Sequence, residues 1–432
     1  SDKQPTSVYL QQGGSFKQAS YAGLTEQKPC SEADMVIADF TGDGRNDIVA
    51  VSGGYFNQNN DDYKHYLYLN EGTAFKKQEL PLPPFIASVV RAADFDQDGD
   101  LDLFIGSRVK MASFPVADPS YILINDGGVF REFAKLDLGM VTDAAWGDAD
   151  GDGYPDLMVA RQWSSVAFIS NDKGSGFTVQ QRNDLADRHG LWYSVAAADL
   201  DQDGDLDYVI GNLGENHRFN ISAQYPMRVY RVDIDNNSFI DPITTAYWKD
   251  KQGVMREYPI NYLDELASQS PFFRKRFTSY TAFSYSTIDS IMNTSIIPEK
   301  DKLMVNTTSS FILWNDKGKF TWERLPSMVQ SAPVRRMIIR DLNADGNQDI
   351  IIAGNDYSYD VSTGYYDANK GIVLTGKGNR SFDVLNPSGS GLLLKGQVSS
   401  LLYFDGAAPF VVAGINRDSV LVYRHQKKVD LP

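Results

Sequence analysis

Six nine-residue stretches concentrate the acidic side chains of this chain. The densest, Asp199-Leu-Asp-Gln-Asp-Gly-Asp-Leu-Asp207, places five carboxylates at alternate positions and runs straight into the apolar Tyr208-Val-Ile-Gly211. Like charges this close repel unless a cation lies among them. The donor set suits calcium. Asp199, Asp201 and Asp203 alternate toward a common centre, Gly204 permits the sharp turn, Asp205 offers its backbone carbonyl and Asp207 closes the cage. Oxygen ligands with no Cys or His argue against zinc and copper.

The motif recurs at regular places. Asp39, Thr41, Asp43, Arg45 and Asp47 hold positions one, three, five, seven and nine of the first copy. Asp94, Asp96, Asp98, Asp100 and Asp102 hold them in the second, and Asp148, Asp150, Asp152, Tyr154 and Asp156 in the third. The fifth copy supplies Asp233, Asp235, Asn237 and Asp241, and the sixth Asp341, Asn343, Asp345, Asn347 and Asp349. Ser238 stands in the fifth where the others carry Gly, which weakens it as a metal loop. About five Ca2+ ions are expected, six with that loop filled. Up to the glycine the spacing matches an EF-hand, but the last acid falls at position nine rather than twelve, between β-like runs instead of helices. A strand, a metal loop and a second strand follow from that.

Charge and composition bound the function. The six loops hold 23 aspartates against a net charge of −15, so the remainder of the chain is formally about +8, the difference between those two figures. The acidity is ligand charge, and such a chain is a poor binder of nucleic acid. No apolar run approaches the roughly 20 residues of a membrane span. The opening Ser1-Asp-Lys-Gln-Pro5 lacks the features of a signal peptide, so any export signal is expected outside this stretch. Cys30 is the single cysteine, which rules out an internal disulfide and suits a buried thiol.

A second hairpin follows most of the loops, with Asn, Asp or Gly at its turn. Tyr66 to Phe75, Tyr121 to Phe130, Phe311 to Phe320 and Ile372 to Phe382 are examples. The first four loops start at 39, 94, 148 and 199, a period of 51 to 55 residues with four strands each, which is the mark of a propeller blade. Leu401 to Gly414 keeps both inner strands without ligands and makes a seventh, metal-free unit. The expectation is therefore an all-β, seven-bladed β-propeller spanning 1–432 as a single domain, with a helical insertion at about 255–300. The step of 34 from 199 to 233 predicts a fourth blade short of its outer strands, and the step of 108 to 341 an insertion in the fifth. Two or three short helices are expected there, with Ser270-Pro271 as one cap and Ser286 with Asp289 as a capping box. An opening hairpin at Ser7 to Phe16 and the last strand at Ser419 to His425 would close the ring.

These residues resemble the FG-GAP/VCBS repeat proteins, whose calcium loop D-x-D-x-D-G-x-x-D precedes an apolar strand often ending in Gly, here Leu103-Phe-Ile-Gly106, Tyr208-Val-Ile-Gly211 and Ile350-Ile-Ile-Ala-Gly354. Gly211 to Asn216, Asp233 to Pro242 and Ser270 to Phe277 look like the bacterial VCBS subgroup often linked to an ASPIC/UnbV module, a module not evident in this chain. The resemblance implies a calcium-bearing propeller outside the cytoplasm, in the periplasm, outer membrane or at the cell surface. Integrin α-chain heads share the architecture and bind proteins, so a protein partner in an envelope or outer-membrane complex is the expectation, with a glycan as the alternative.

Contact surfaces are expected in the loops opposite the calcium turns: 53–63, 107–119, 213–226, the insertion, and 355–366. They carry clustered Tyr, Asn and Arg. Arg274-Lys-Arg276 between Phe272, Phe273 and Phe277 is a candidate dock for an acidic partner or membrane surface, against the plainer reading of solvated cations on a capping helix. The catalytic alternative is a calcium-dependent polysaccharide lyase using His217 and Arg218 with Tyr357 or Tyr365; Arg188-His189 sits in a connection instead. Without a nucleophile motif or phosphate loop, a non-catalytic role is the expectation.

Overall fold

The computed structural model describes residues 6–12, 15–26, 29–54, 59–358, 363–406 and 408–426. The opening residues 1–5 and parts of two candidate contact loops, 55–58 and 359–362, lie outside this set. Two compact units result, residues 1–159 with 167–180, and residues 160–166 with 181–432.

The fold is all-β and propeller-like in its building blocks. In the first unit, Ser31–Ala38, Asp47–Gly53, Tyr66–Asn70 and Phe75–Glu79 form one antiparallel meander in which chain order equals spatial order. Ile86–Ala93, Asp102–Val109, Ser120–Ile124 and Arg131–Leu136 form the second. Val141–Gly147, Asp156–Ser164, Ala167–Asn171 and Phe177–Val179 form the third, whose second strand passes into the other unit after Val159. Pairing of Ala38 with Asp47 and of Ala93 with Asp102 makes each acidic turn the link between first and second strands. The second strands are buried on both faces and read as continuous apolar runs, whereas Phe75–Glu79 is mostly exposed and mixed with charge. Cores lie between successive sheets: Val49, Leu67, Val90 and Leu103 in one, Phe104, Ile122, Val141 and Leu157 in the next. Each such side chain contributes roughly 1.5–3 kcal/mol on burial.

Glycine at the end of the second strand has a packing reason. A Cβ on Gly106 would come within 2.6 Å of Val141 Cγ1 on the next sheet and 2.7 Å of Val89 Cγ1. The sheets approach too closely there for a side chain, and only hydrogen fits.

In the second unit, Ser194–Ala198 and Asp207–Gly211 are completed by Phe311–Asp316 and Lys319–Arg324, with Tyr208 opposite Leu313. This corrects the expected short fourth blade. Its outer hairpin returns after residues 212–310, so the insertion lies in the fourth meander, between its second and third strands. Val334–Arg340, Asp349–Gly354, Ile372–Gly376 and Phe382–Leu385 form the fifth meander. Val398–Phe404, Phe410–Ile415 and Val420–Arg424 form a three-stranded last one around the unit without ligands.

The fifth acidic loop belongs to the insertion rather than to the meander series. It joins Met227–Tyr230 to Ile243–Lys249 in a sheet that Met255–Pro259 and Lys302–Val305 complete at its two edges. Among the described residues the series thus numbers six meanders: the expected seventh unit at Leu401 to Gly414 is the last of them, and the expected fifth unit is this inserted sheet. Four short α-helices accompany it, Leu263–Gln269, Pro271–Arg276, Tyr280–Ser284 and Ile288–Ile291, around Leu266, Phe273 and Ile288. Ser270 caps its helix by accepting the N–H of Phe272, with Pro271 in the first turn. Ser286 does not cap: Thr287 precedes the last helix, and the Ser286 hydroxyl donates to the Ala282 carbonyl behind it.

Candidate metal centre

One backbone scaffold builds all six loops. The first aspartate accepts the N–H of the sixth residue through Oδ2: Asp39 from Gly44 (2.7 Å), Asp94 from Gly99 (3.1 Å), Asp148 from Gly153 (2.8 Å), Asp199 from Gly204 (3.1 Å), Asp233 from Ser238 (2.8 Å) and Asp341 from Gly346 (2.9 Å). The sixth residue is left-handed throughout, and Ser238 takes φ 71° to reproduce what Gly204 does at 96°. Serine therefore strains the fifth loop without changing its shape.

The ninth aspartate turns out to be a clamp. Asp102 Oδ2 accepts the N–H of Phe95 (3.1 Å) and its Oδ1 that of Asn125 at the end of the third strand (2.8 Å). Asp207 repeats this with Leu200 and Asn315, and Asp156 with Ala149 and Asn171. The asparagine side chain carries the tie onward. Asn125 Nδ2 donates to Phe40 O in the preceding loop, and Asn171 Nδ2 to Phe95 O, each linking one meander to the last. These asparagines were legible only as turn residues; their recurrence as Asn70, Asn125, Asn171 and Asn315 at the ends of the first four third strands was the signal, and Gly376 takes the place in the fifth.

Carboxylates converge in four loops. Asp94, Asp96 and Asp102; Asp148, Asp150 and Asp156; Asp199, Asp201 and Asp203; and Asp233, Asp235 and Asp241 each bring three ligand oxygens within 4.8 Å of one another. Asp98, Asp100, Asp152, Asp205 and Asp207 lie in the same turns outside these triples. The first and sixth loops form no such triple among the described residues, because Thr41 and Asn343 replace the third acid. In the first loop the Arg45 guanidinium also pairs with Asp43, so Arg45, expected as a carbonyl ligand, brings its own cation. Tyr154, Asn237 and Asn347 stand in the corresponding turns, and the N–H groups of Tyr154 and Asn347 fall on the fifth-position carboxylates.

The donors fit a divalent cation. Asp94 Oδ1 and Asp235 Oδ1 are buried with no hydrogen-bond partner, an arrangement that costs stability unless something positive meets them. Burial pushes the carboxyls of Asp102 and Asp207 up to about 7 and that of Asp156 to about 6, against the pull of the two backbone N–H groups each accepts. A bound ion reverses that logic. The fifth loop, the weakest by sequence, meets the same test as the second.

The other candidates are held by their surroundings. His217 places Nε2 2.9 Å from Thr308 Oγ1 and accepts the Phe219 N–H at Nδ1, while burial lowers its pKa. Arg218 is exposed with its guanidinium over Phe219, and Tyr357 and Tyr365 pack against each other 4.9 Å apart. His189 is part-buried, with Arg188 lying over Phe311 and Trp322. Cys30 is buried and donates to Asp62 O. Phe273 joins the core of the insertion, with Phe272 and Phe277 packed against it, and Arg274, Lys275 and Arg276 are exposed. No helix is long and apolar enough to cross a membrane among the described residues.

Residues 39–105 and 148–210 match the model of the FG-GAP-like repeat. Curated proteins give no match. Solved structures that match this chain include BBS1N in complex with ARL6DN, in a lead-soaked crystal, at 10% identity over 95% of this chain and 96% of that one, TM-score 0.36. Another is the V. cholerae biofilm matrix protein Bap1, at 12% identity over 94% and 90%, TM-score 0.33.

Proposed function

This chain is built on FG-GAP-like repeats, and from that premise we propose that it is a non-catalytic, calcium-stabilised interaction module working outside the cytoplasm, at the cell surface, periplasm or outer membrane of a bacterium. Its partner is a protein of an envelope complex. The observation that carries the reading is the pair of buried, unpartnered oxygens of Asp94 and Asp235 within acidic triples. Calcium would be held by the acidic positions of each turn and by position-seven carbonyls, and would supply the positive charge that lets the clamps of Asp102, Asp156 and Asp207 stay buried. A place outside the cytoplasm suits such loops, since extracellular calcium modules bind with a Kd of roughly 0.1–1 mM. The non-catalytic part rests on His217, whose two nitrogens are both engaged.

Thermal unfolding with calcium and with EDTA tests it. A site held at 100 times its Kd adds about 2.7 kcal/mol, so removing several ions lowers Tm by many degrees. An unchanged Tm would sink the metal reading. Co-purification from membranes in calcium, lost when 255–300 is trimmed, tests the partner.

A further inference from the structure

We infer that a groove of about 910 Å3 in the insertion binds an acidic oligosaccharide. This goes beyond the interaction role above and holds with or without a protein partner. Strand alternation builds one wall. Trp248 lies opposite Arg256 and Ala246 opposite Tyr258, which sets Trp248 and Tyr258 on one face. The other face is closed: Glu257 there accepts hydrogen bonds from Arg228, Tyr230 and Tyr247. The helical side adds Tyr262, Tyr280 and Tyr285, which remain 48%, 63% and 60% exposed. Five aromatic residues along one groove offer flat faces for the C–H surfaces of pyranose rings.

The charge is just as one-sided. Arg218, Lys249, Lys251 and Arg256 line the groove against the single acid Asp250, which Arg256 already pairs with at 2.6 Å. Among the described residues Arg218, Lys249 and Lys251 pair with no carboxylate, and the Lys251 ammonium sits 4.1 Å from the centre of the Tyr285 ring. A cationic, aromatic groove in a chain of net charge −15 selects a ligand with carboxylates beside stackable rings, which is a uronate-containing glycan. An extended peptide adding to the sheet is disfavoured, since the edge strand Met255–Pro259 ends in proline and the helix Ile288–Ile291 packs beside it.

The probe is a hyaluronan hexasaccharide titrated calorimetrically into the calcium-loaded chain, with chitohexaose as the neutral control and a glutamate hexapeptide as the acidic one. Hyaluronan is expected to bind and both controls to bind roughly tenfold more weakly or less. Tyr285→Ala and Lys249→Gln, both at exposed positions, should each cut affinity roughly tenfold with an unchanged Tm in calcium. Absence of binding, equal binding of chitohexaose, tighter binding of the peptide, or undiminished binding by both variants would overturn the assignment. If hyaluronan fails while EDTA still lowers Tm, only the glycan falls.

Discussion

Arg380 Nε lies 2.6 Å from Asp201 Oδ2, so a guanidinium from the turn of the fifth meander reaches into the acidic loop of the fourth. The same group pairs with Asp316 at 2.6 Å and lies over the Trp314 ring. These bonds, to Asp316 first and then Asp201, raise the Arg380 pKa above its ordinary value. A fixed protein cation thus shares the ligand field of the fourth loop, and two sheets are tied through it.

Replacing that cation should separate its two effects. Arg380→Gln removes a competitor for the fourth loop and a tie between sheets. Isothermal titration is expected to give tighter calcium binding at one site, by a few-fold. Without calcium the variant should melt a few degrees below the parent, as the acids then repel unopposed. Equal Tm values in EDTA would refute the tie.

The fifth loop is tied to the helices through one hydroxyl. Ser270 donates to Asp235 Oδ2 at 2.7 Å while capping Pro271–Arg276, so the ion site and the helix start share a side chain. Asp235→Asn should lower calcium stoichiometry by one and speed hydrogen exchange in residues 263–291, leaving Asp102–Val109 unaffected. Ser238→Gly should stabilise by about 1 kcal/mol, by relieving the positive φ. Unchanged exchange in the helices would break the link.

Sheet spacing yields a third. At Gly211 a Cβ would press on Ser194 Oγ and on the Val334 carbonyl, which are already hydrogen-bonded to each other at 2.8 Å. Gly211→Ala is expected to cost about 1–3 kcal/mol in urea unfolding, whereas Gly204→Asn in the neighbouring turn, where a Cβ meets nothing within 4 Å and the cost is confined to the left-handed φ of 96° that Asn tolerates best, should cost less. Equal costs would show that the close approach is not what selects glycine.

These cases mark what was legible in the chain and what was not. Strand, acidic turn and strand are local patterns, with the Asp spacing and the apolar run after it both written within nine to fifteen residues, and they stand where expected. Partner choice over long separations was hidden. Nothing near Asp207 says that its sheet resumes at Phe311, because the pairing of Tyr208 with Leu313 is decided by burial after residues 212–310 are set aside. The ninth aspartate looked like a ligand only. Its clamp to Asn125 or Asn315 needs the third strand in place, and Arg380, one cation in a Gly-Asn-Arg-Ser turn, carries no local mark at all.

One buried histidine titrates away from the acidic loops. His65 is 2% exposed, accepts the Ser52 N–H at Nδ1 (3.1 Å) and packs its ring 4.4 Å from that of Phe85, and burial lowers its pKa to about 3. The folded chain keeps this ring neutral down to about pH 3, while the unfolded chain takes up a proton below about 6.5. Between those values the unfolded state binds more protons, so stability falls as pH falls, by up to about 1.4 kcal/mol per unit from this group. Above about 6.5 the two states match and the contribution is flat. His65→Gln retains an acceptor for Ser52 without a titrating ring. Between pH 7 and 5 the parent is therefore expected to lose about 2 kcal/mol more than the variant in urea unfolding at saturating calcium, and parallel pH profiles would show that His65 is protonated inside the fold.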